Sequence, residues 1–282
     1  MKEISRWIQQ NNMTAFFIFA FAISWTIWIC VRLFLARNGV FHPLYYVGVF
    51  GPLLSAVIVT WSTESKFGLW QWLRQTFNFR INIGWYLLGG ILGPIGVALY
   101  QFSLYLLLGG ELDFSEANPW WNYLISVPIG ALFAGGNEEP GWRGFALPQL
   151  IKKHHPLVAS LFLGIMWAVW HIPLSLSTGW GGGSYWFGWF LINTVGLSFI
   201  MTWLYFKSSM SVIPVMLFHQ GTNHVWHYFP MPSDVISGLP DWIVLKTIVC
   251  WTIAIILVIV TKGRFGCTFL DNQRNESSKI ND

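Results

Sequence analysis

Gly136-Asn137-Glu138-Glu139-Pro140-Gly141-Trp142-Arg143-Gly144 sets two adjacent carboxylates and an arginine inside an apolar run covering residues 121–149. A carboxylate at bilayer depth costs several kcal/mol unless it is paired or faces water, so intramembrane ionisable groups mark function before they mark architecture. Glu139 and Arg143 are four residues apart, which on a helix stacks them on one face and allows an ion pair. Glu138, rotated by roughly 100° from its neighbour, points elsewhere and is available for a different task.

Outward from this stretch, composition decides the class. Of the 282 residues 54% are apolar and only 10% charged, with mean hydropathy +0.51, where soluble domains carry about 25% charge. The expected fold is therefore an all-α integral membrane protein, a multi-pass bundle around an intramembrane polar cavity. A net charge of +4 and a pI of 9.0 do not argue for nucleic acid, because the basic residues sit singly between apolar runs and form no patch. The expected partners are the lipid bilayer and a membrane-associated protein or peptide; nothing in the pattern encodes an oligomeric state. Cys30 and Cys250 lie in apolar runs and Cys267 beyond the last, with no CxxC, so no structural disulfide is expected.

A spanning helix needs about 20 apolar residues. Eight runs satisfy this loosely: 13–35, 45–62, 85–108, 121–149, 156–176, 185–206, 209–229 and 242–261. The second is short, and the fourth is interrupted by Gly135, Gly136 and Pro140, which leaves seven spans open as well as eight. The first run reads as a retained span, not a cleaved signal. Lys2, Arg6, Lys66, Arg74, Arg80, Lys152, Lys153, Lys207, Lys262, Arg264, Arg274 and Lys279 fall on one set of alternating connections. Glu111, Asp113, Glu116, Asp234 and Asp241 fall on the other. By the positive-inside rule both termini are cytoplasmic, and the cavity is expected to open there too; Arg32 and Arg37 run against the pattern. Phe67 to Gly84 fits a short amphipathic helix at the interface, with an ordinary connection as the plainer reading. Trp61, Trp85, Trp120, Trp121 and Trp242 fit an interfacial belt, whereas Trp167 and Trp170 lie inside the fifth run. The chain reads as one membrane domain over 1–282, with a polar tail, 271–282, expected to be disordered and cytoplasmic.

Polar residues at span depth concentrate in three places. Glu138, Glu139 and Arg143 share the fourth run, His171 lies in the fifth one turn after Trp167, and His219 and Asn223 share a face of the seventh, which His227 continues and His224 leaves. Singly, each has a structural reading: a histidine or asparagine commonly joins membrane helices by hydrogen bonds, and Glu139 with Arg143 could be a structural pair. Together they point to a site. Hydrolysis fits: a desolvated glutamate takes a proton from water beside a histidine, while a second histidine and an asparagine donate to the developing oxyanion. HExxH and P-loop patterns are missing, and serine chemistry through Ser175 or Ser177 with His171 is a weak third choice.

Glu138-Glu139-x-x-x-Arg143, Trp167-x-x-x-His171 and His219-x-x-x-Asn223, in this order on separate runs, resemble the three motifs of the CPBP family of intramembrane proteases, also called the CAAX-processing and bacteriocin-processing or Abi family. The likeness covers about residues 45–230, a protease-like core. It implies an intramembrane endopeptidase, resembling the prenyl-protein CAAX type and acting on a membrane-associated substrate in CAAX-type or bacteriocin-type processing, in which Glu138 and His171 activate water, His219 and Asn223 stabilise the oxyanion, and Glu139 with Arg143 supports them. Trp167 departs from the family's usual Phe and keeps an aromatic wall. Pro140 is expected to kink the helix at the glutamates and admit water. Two other functions stay open: a non-proteolytic immunity or peptide-binding scaffold protein using the same cavity, and a proton-coupled transporter, against which the lack of an internal repeat argues.

No cofactor is favoured, and zinc is the one to weigh. His171, His219 and Glu138 could supply three ligands, but this leaves Glu139, tied to Arg143, as base. Keeping Glu138 as base passes the third place to Asn223, a poor zinc ligand, or to His227, two turns or roughly 12 Å along the helix from His219. The arithmetic favours a glutamate-activated water.

Overall fold

A computed structural model describes residues 2–36, 42–111, 114–115, 117–175, 183–228 and 242–267. Arg37, Asp113, Glu116, Ser177, Asp234, Asp241 and the tail 271–282 with Arg274 and Lys279 lie outside them. Among the described residues the protein is all helical: α1 (Lys2–Gln10), α2 (Asn12–Cys30, continued by a π-helical turn to Leu35), α3 (Tyr45–Gly48), α4 (Gly51–Thr76), α5 (Ile83–Leu107), α6 (Trp121–Phe133), α7 (139–151), α8 (Pro156–Trp170), α9 (Gly183–Lys207), α10 (Ile213–His224) and α11 (Trp242–Thr261).

The burial pattern is that of a membrane bundle. Large apolar side chains such as Leu107, Ile125, Ile259 and Val260 face outward, while Ser24, Ser55, Gln101, Ser160, Ser198 and Thr202 are buried. Without water outside, burying Leu against lipid gains little, and helices are joined by close backbones and polar side chains. Ser55 donates to the Phe16 carbonyl at 2.7 Å, Ser160 to Thr202 Oγ1 at 2.9 Å and Trp25 Nε1 to the Trp170 carbonyl at 2.9 Å. Cys30, Cys250 and Cys267 form no disulfide.

Among the described residues five segments are long and apolar enough to cross a membrane: Asn12–Leu35, Tyr45–Thr76, Ile83–Leu107, Trp186–Lys207 and Trp242–Thr261. The shortfall from eight arises where the polar motifs sit. The seventh run forms only the twelve-residue α10 and then a 3₁₀ turn, Val225–His227. The fifth forms Pro156–Trp170, too short by itself. The fourth is not one helix: α6 ends at Phe133, Ala134 is extended (φ −129°, ψ −139°), and Gly135–Glu138 makes a 3₁₀ turn before α7 begins. The break expected at Pro140 therefore falls six residues earlier. Pro140 occupies the first turn of a new helix, where a missing N–H costs nothing. The short amphipathic helix expected after Phe67 continues α4 to Thr76 beyond a kink at Ser65 (φ 67°), which buries the end of α4 under Gly144 and Val212.

Gly141 and Gly136 bring this broken segment against its neighbours. A Cβ at Gly141 would stand 2.5 Å from the Pro52 backbone of α4, and one at Gly136 would stand 2.7 Å from the Met216 carbonyl of α10. Any side chain at either would push the glutamate turn off its supports.

The connections sort onto two faces. Thr76 accepts from Val212 N–H at 3.0 Å, Gly263 abuts His155 and Gly266 abuts Lys207, which puts the basic connections together. The Asn118 N–H donates to the His227 carbonyl at 2.8 Å, and Trp28 Nε1 to the Tyr45 carbonyl at 2.8 Å, which gathers the ends of α2 and α10 and the start of α6 on the other face, with Arg32.

Candidate active site

Glu138 is the N-cap of α7 and Glu139 its first residue, where partial positive charge from unpaired backbone N–H groups favours carboxylates. Both are buried, yet they meet different partners. Glu138 Oε2 accepts from Trp167 Nε1 at 2.6 Å and from Trp142 Nε1 at 3.4 Å; Oε1 takes part in neither bond. Glu139 accepts from Arg143 Nη1 at 3.1 and 2.9 Å and from His219 Nδ1 at 2.8 Å. The Arg143 guanidinium also lies 4.7 Å above the Trp167 ring. Two carboxylates one residue apart thus face two environments: indole donors for the first, a cationic side chain and an imidazole for the second.

Two hydrogen bonds assign the histidine tautomers, because carbonyl and carboxylate oxygens can only accept. His171 Nδ1 lies 2.9 Å from the Trp167 carbonyl, one turn back, so Nδ1 carries the proton and Nε2 the lone pair. His219 donates Nδ1–H to Glu139, which leaves its Nε2 likewise an acceptor in the neutral ring. His171 is walled by Trp170 and Phe190, with ring centroids at 4.7 and 5.1 Å, and His219 meets the Trp167 ring at 5.0 Å.

One cavity of about 540 Å³ collects Glu138, Trp167, His171, His219 and Asn223, and extends past His224 and His227 to Trp226, Trp242 and Lys246. His224, expected to turn away from the His219 face, lines it too, because the helix ends there and the 3₁₀ turn swings the chain round; the His224 and His227 rings stand 5.3 Å apart. Trp226, His227 and Tyr46 belong to the face opposite the basic connections, so that is where the cavity leads. A cytoplasmic N-terminus and a cytoplasmic mouth are therefore mutually exclusive, since the N-terminus and the basic connections lie across the bundle from it.

Gly135 sits on the cavity floor, and a Cβ there would come within 2.8 Å of Asn223 Nδ2 and 2.9 Å of His219 Nε2. The two polar atoms thus converge on one small space that only glycine leaves clear. In sequence Gly135 reads only as a helix breaker. The indole N–H groups of Trp142 and Trp167 likewise read only as aromatic surface, though a Trp beside a buried carboxylate is also a donor. Lys246 passes unnoticed inside the run 242–261, where its charge is the available signal.

The zinc set is not assembled. Among the described residues no three His, Cys, Asp or Glu side chains stand close enough to hold one ion. Glu138 Oε2 accepts from two indole N–H groups, and His219 donates Nδ1–H to Glu139. Ser175 donates to the Ile172 carbonyl at 2.8 Å, a local helical bond that ties the hydroxyl to its own backbone.

Comparison with known proteins converges on the same region. Residues 119–225, which carry all three motifs, match the family model described as type II CAAX prenyl endopeptidase Rce1-like. The chain is also similar to the CAAX prenyl protease 2 of Methanococcus maripaludis, with 23% identity over 268 residues, covering 90% of this chain and 96% of that protein.

Proposed function

We propose that the chain is an intramembrane peptidase of the Rce1-like type that cleaves a CAAX-type tail on a prenylated, membrane-associated protein with water activated by Glu138, a reading supported by the family match over residues 119–225 and by the likeness to the archaeal protease. The observation that carries this is convergence: motif residues from α7, α8 and α10 line one cavity with an apolar wall suited to a lipidated substrate. Trp167 and Trp142 hold one oxygen of Glu138, and the other accepts a proton from water. His171 Nε2 orients that water as a second acceptor. The hydroxide attacks the scissile carbonyl carbon, the C–N bond breaks, and the proton taken by Glu138 passes to the departing amine.

The oxyanion formed in between is met by Asn223 Nδ2, a donor at rest. His219 joins as a donor only as an imidazolium, the form that the Glu139 carboxylate supports, much as a carboxylate orients and stabilises the histidine of a catalytic triad. No step in this scheme needs a metal, and among the described residues no three ligands stand close enough to share one ion.

The test uses purified protein in lipid vesicles and a quenched fluorogenic peptide carrying a prenylated CAAX sequence. Wild type should cleave it, and Glu138→Gln, which keeps size and the indole contacts, should lose roughly 10² to 10⁴ in rate. Binding of the peptide by wild type without cleavage would favour the scaffold reading instead.

A further inference from the structure

Lys246 is the other costly charge in the bundle. It projects from α11 into the same cavity and is 6% exposed. Its ammonium donates to the Thr222 carbonyl at 3.4 Å and lies 5.6 and 6.0 Å from the Trp226 and Trp242 ring centroids. Both ion pairs found among the described residues run to Glu139, so no described carboxylate neutralises it. One long hydrogen bond leaves two of its three N–H donors for something else. Two indole faces stabilise a cation, but by about 0.5–2 kcal/mol each, less than a membrane-buried ammonium costs. The balance calls for an anion, and none of the described carboxylates supplies it.

On the peptidase reading, upon which this inference rests, the occupant of the cavity is a peptide, and the one anion that every peptide carries is its C-terminal carboxylate. We propose that Lys246 binds the free C-terminal carboxylate of the substrate, so that the scissile bond is measured from the end of the chain. The placement suits that task. Thr222, whose carbonyl holds the ammonium, lies three residues beyond His219 on α10, and Asn223 follows it. One helical turn plus two side chains is on the order of 10 Å, which roughly two to four extended residues cover at ~3.3 Å each. A short C-terminal segment can therefore lie between the ammonium and the attacked carbonyl. The aromatic rings around Lys246 exclude water and strengthen the charge pairing.

The experiment compares two versions of the prenylated peptide, one ending in a free carboxylate and one in a carboxamide, with wild type, Lys246→Met and Lys246→Arg. Binding is read by fluorescence anisotropy in neutral detergent, where no turnover is needed, and cleavage separately in vesicles. Wild type should prefer the acid by roughly tenfold to a hundredfold in Kd, as for a charge-assisted bond. Lys246→Met should bind both at the level of the amide, and Lys246→Arg should keep the preference. Equal binding of acid and amide by wild type overturns the proposal, whatever the cleavage result. Failure of wild type to cleave, with the acid preference intact, overturns the peptidase reading and leaves the anchor standing. A third outcome also overturns it: an affinity that depends on added phosphatidylglycerol and vanishes in Lys246→Met, with no difference between acid and amide, would assign Lys246 to a lipid headgroup.

Discussion

Replacing Arg143 with alanine should unfold the site from beneath. The guanidinium is wholly buried, donates to both oxygens of Glu139 at 2.9 and 3.1 Å and lies over the Trp167 ring. Its loss strands Glu139 with His219 as remaining partner, and breaking a buried pair in this way costs about 3–5 kcal/mol. Loss of the cation–π contact adds about 0.5–2 kcal/mol. In the other direction, Nε and Nη2 have no hydrogen-bond partner among the described residues, so truncation also relieves an uncompensated desolvation. The net expectation is about 3 kcal/mol, a large share of the ~5–15 kcal/mol that stabilises a typical protein. At roughly 2–4 °C per kcal/mol, this lowers Tm by about 6–12 °C, measured by tryptophan fluorescence in detergent. The decisive control is Arg143→Ala combined with Glu139→Gln, which removes the stranded charge and should recover at least half of the loss. A double variant melting no higher than Arg143→Ala would refute the reasoning, because the cost would then not be an unpaired carboxylate.

Gly135→Ala should leave Tm nearly unchanged but cut kcat about 10²-fold, since the new methyl displaces the Asn223 and His219 atoms that now meet there; unchanged kcat in the fluorogenic assay would remove both from the oxyanion site. Asn223→Ala should lower kcat by roughly 10² to 10³ with little change in KM, and an equal loss in peptide Kd would make Asn223 a substrate-positioning residue. Protein stripped of metal by chelator should retain most activity; loss on stripping and restoration by stoichiometric zinc would reverse the mechanism proposed here. A cysteine at Ser115, on the cavity face, should react with an impermeant thiol reagent from outside intact cells if the basic connections are cytoplasmic, while labelling only after lysis would put the cavity mouth in the cytoplasm and both ends of the bundle outside.

The clustered polar residues are legible in the sequence because the membrane makes charge rare. Glu138, Glu139, Arg143, His171, His219 and Asn223 stand out against apolar runs, and the face-sharing of Glu139 with Arg143 follows from helical spacing alone. The helix that carries them was not. Its break depends on Gly136 passing the Met216 carbonyl and Gly141 passing Pro52, contacts between segments far apart in sequence, so a proline that reads as a kink serves as a helix start. Partner choice was hidden for the same reason. Nothing local says that His219 faces Glu139 and not Glu138, because α10 and α7 are 80 residues apart at that bond.

In the proposed mechanism, that partner choice carries the division of labour between the glutamates. Had His219 met Glu138, one carboxylate would hold the imidazole, the indoles and the water together, and the oxyanion donor would compete with the base for the same lone pairs. Instead Glu139 takes Arg143 and His219, while Glu138 keeps an oxygen outside the indole bonds at the cavity. Trp167 joins the two halves, since its N–H holds Glu138 and its ring carries Arg143 and borders His219. A phenylalanine at that position keeps the ring contacts and loses only the bond to Glu138, which makes Trp167→Phe the substitution that tests the base without disturbing the ion pair. It should lower kcat by roughly tenfold to a hundredfold, the worth of a hydrogen bond to a charged group of about 1.5–3 kcal/mol, with Tm falling far less than in Arg143→Ala. A Tm loss matching Arg143→Ala would mean that the indole N–H holds up the fold, not the base.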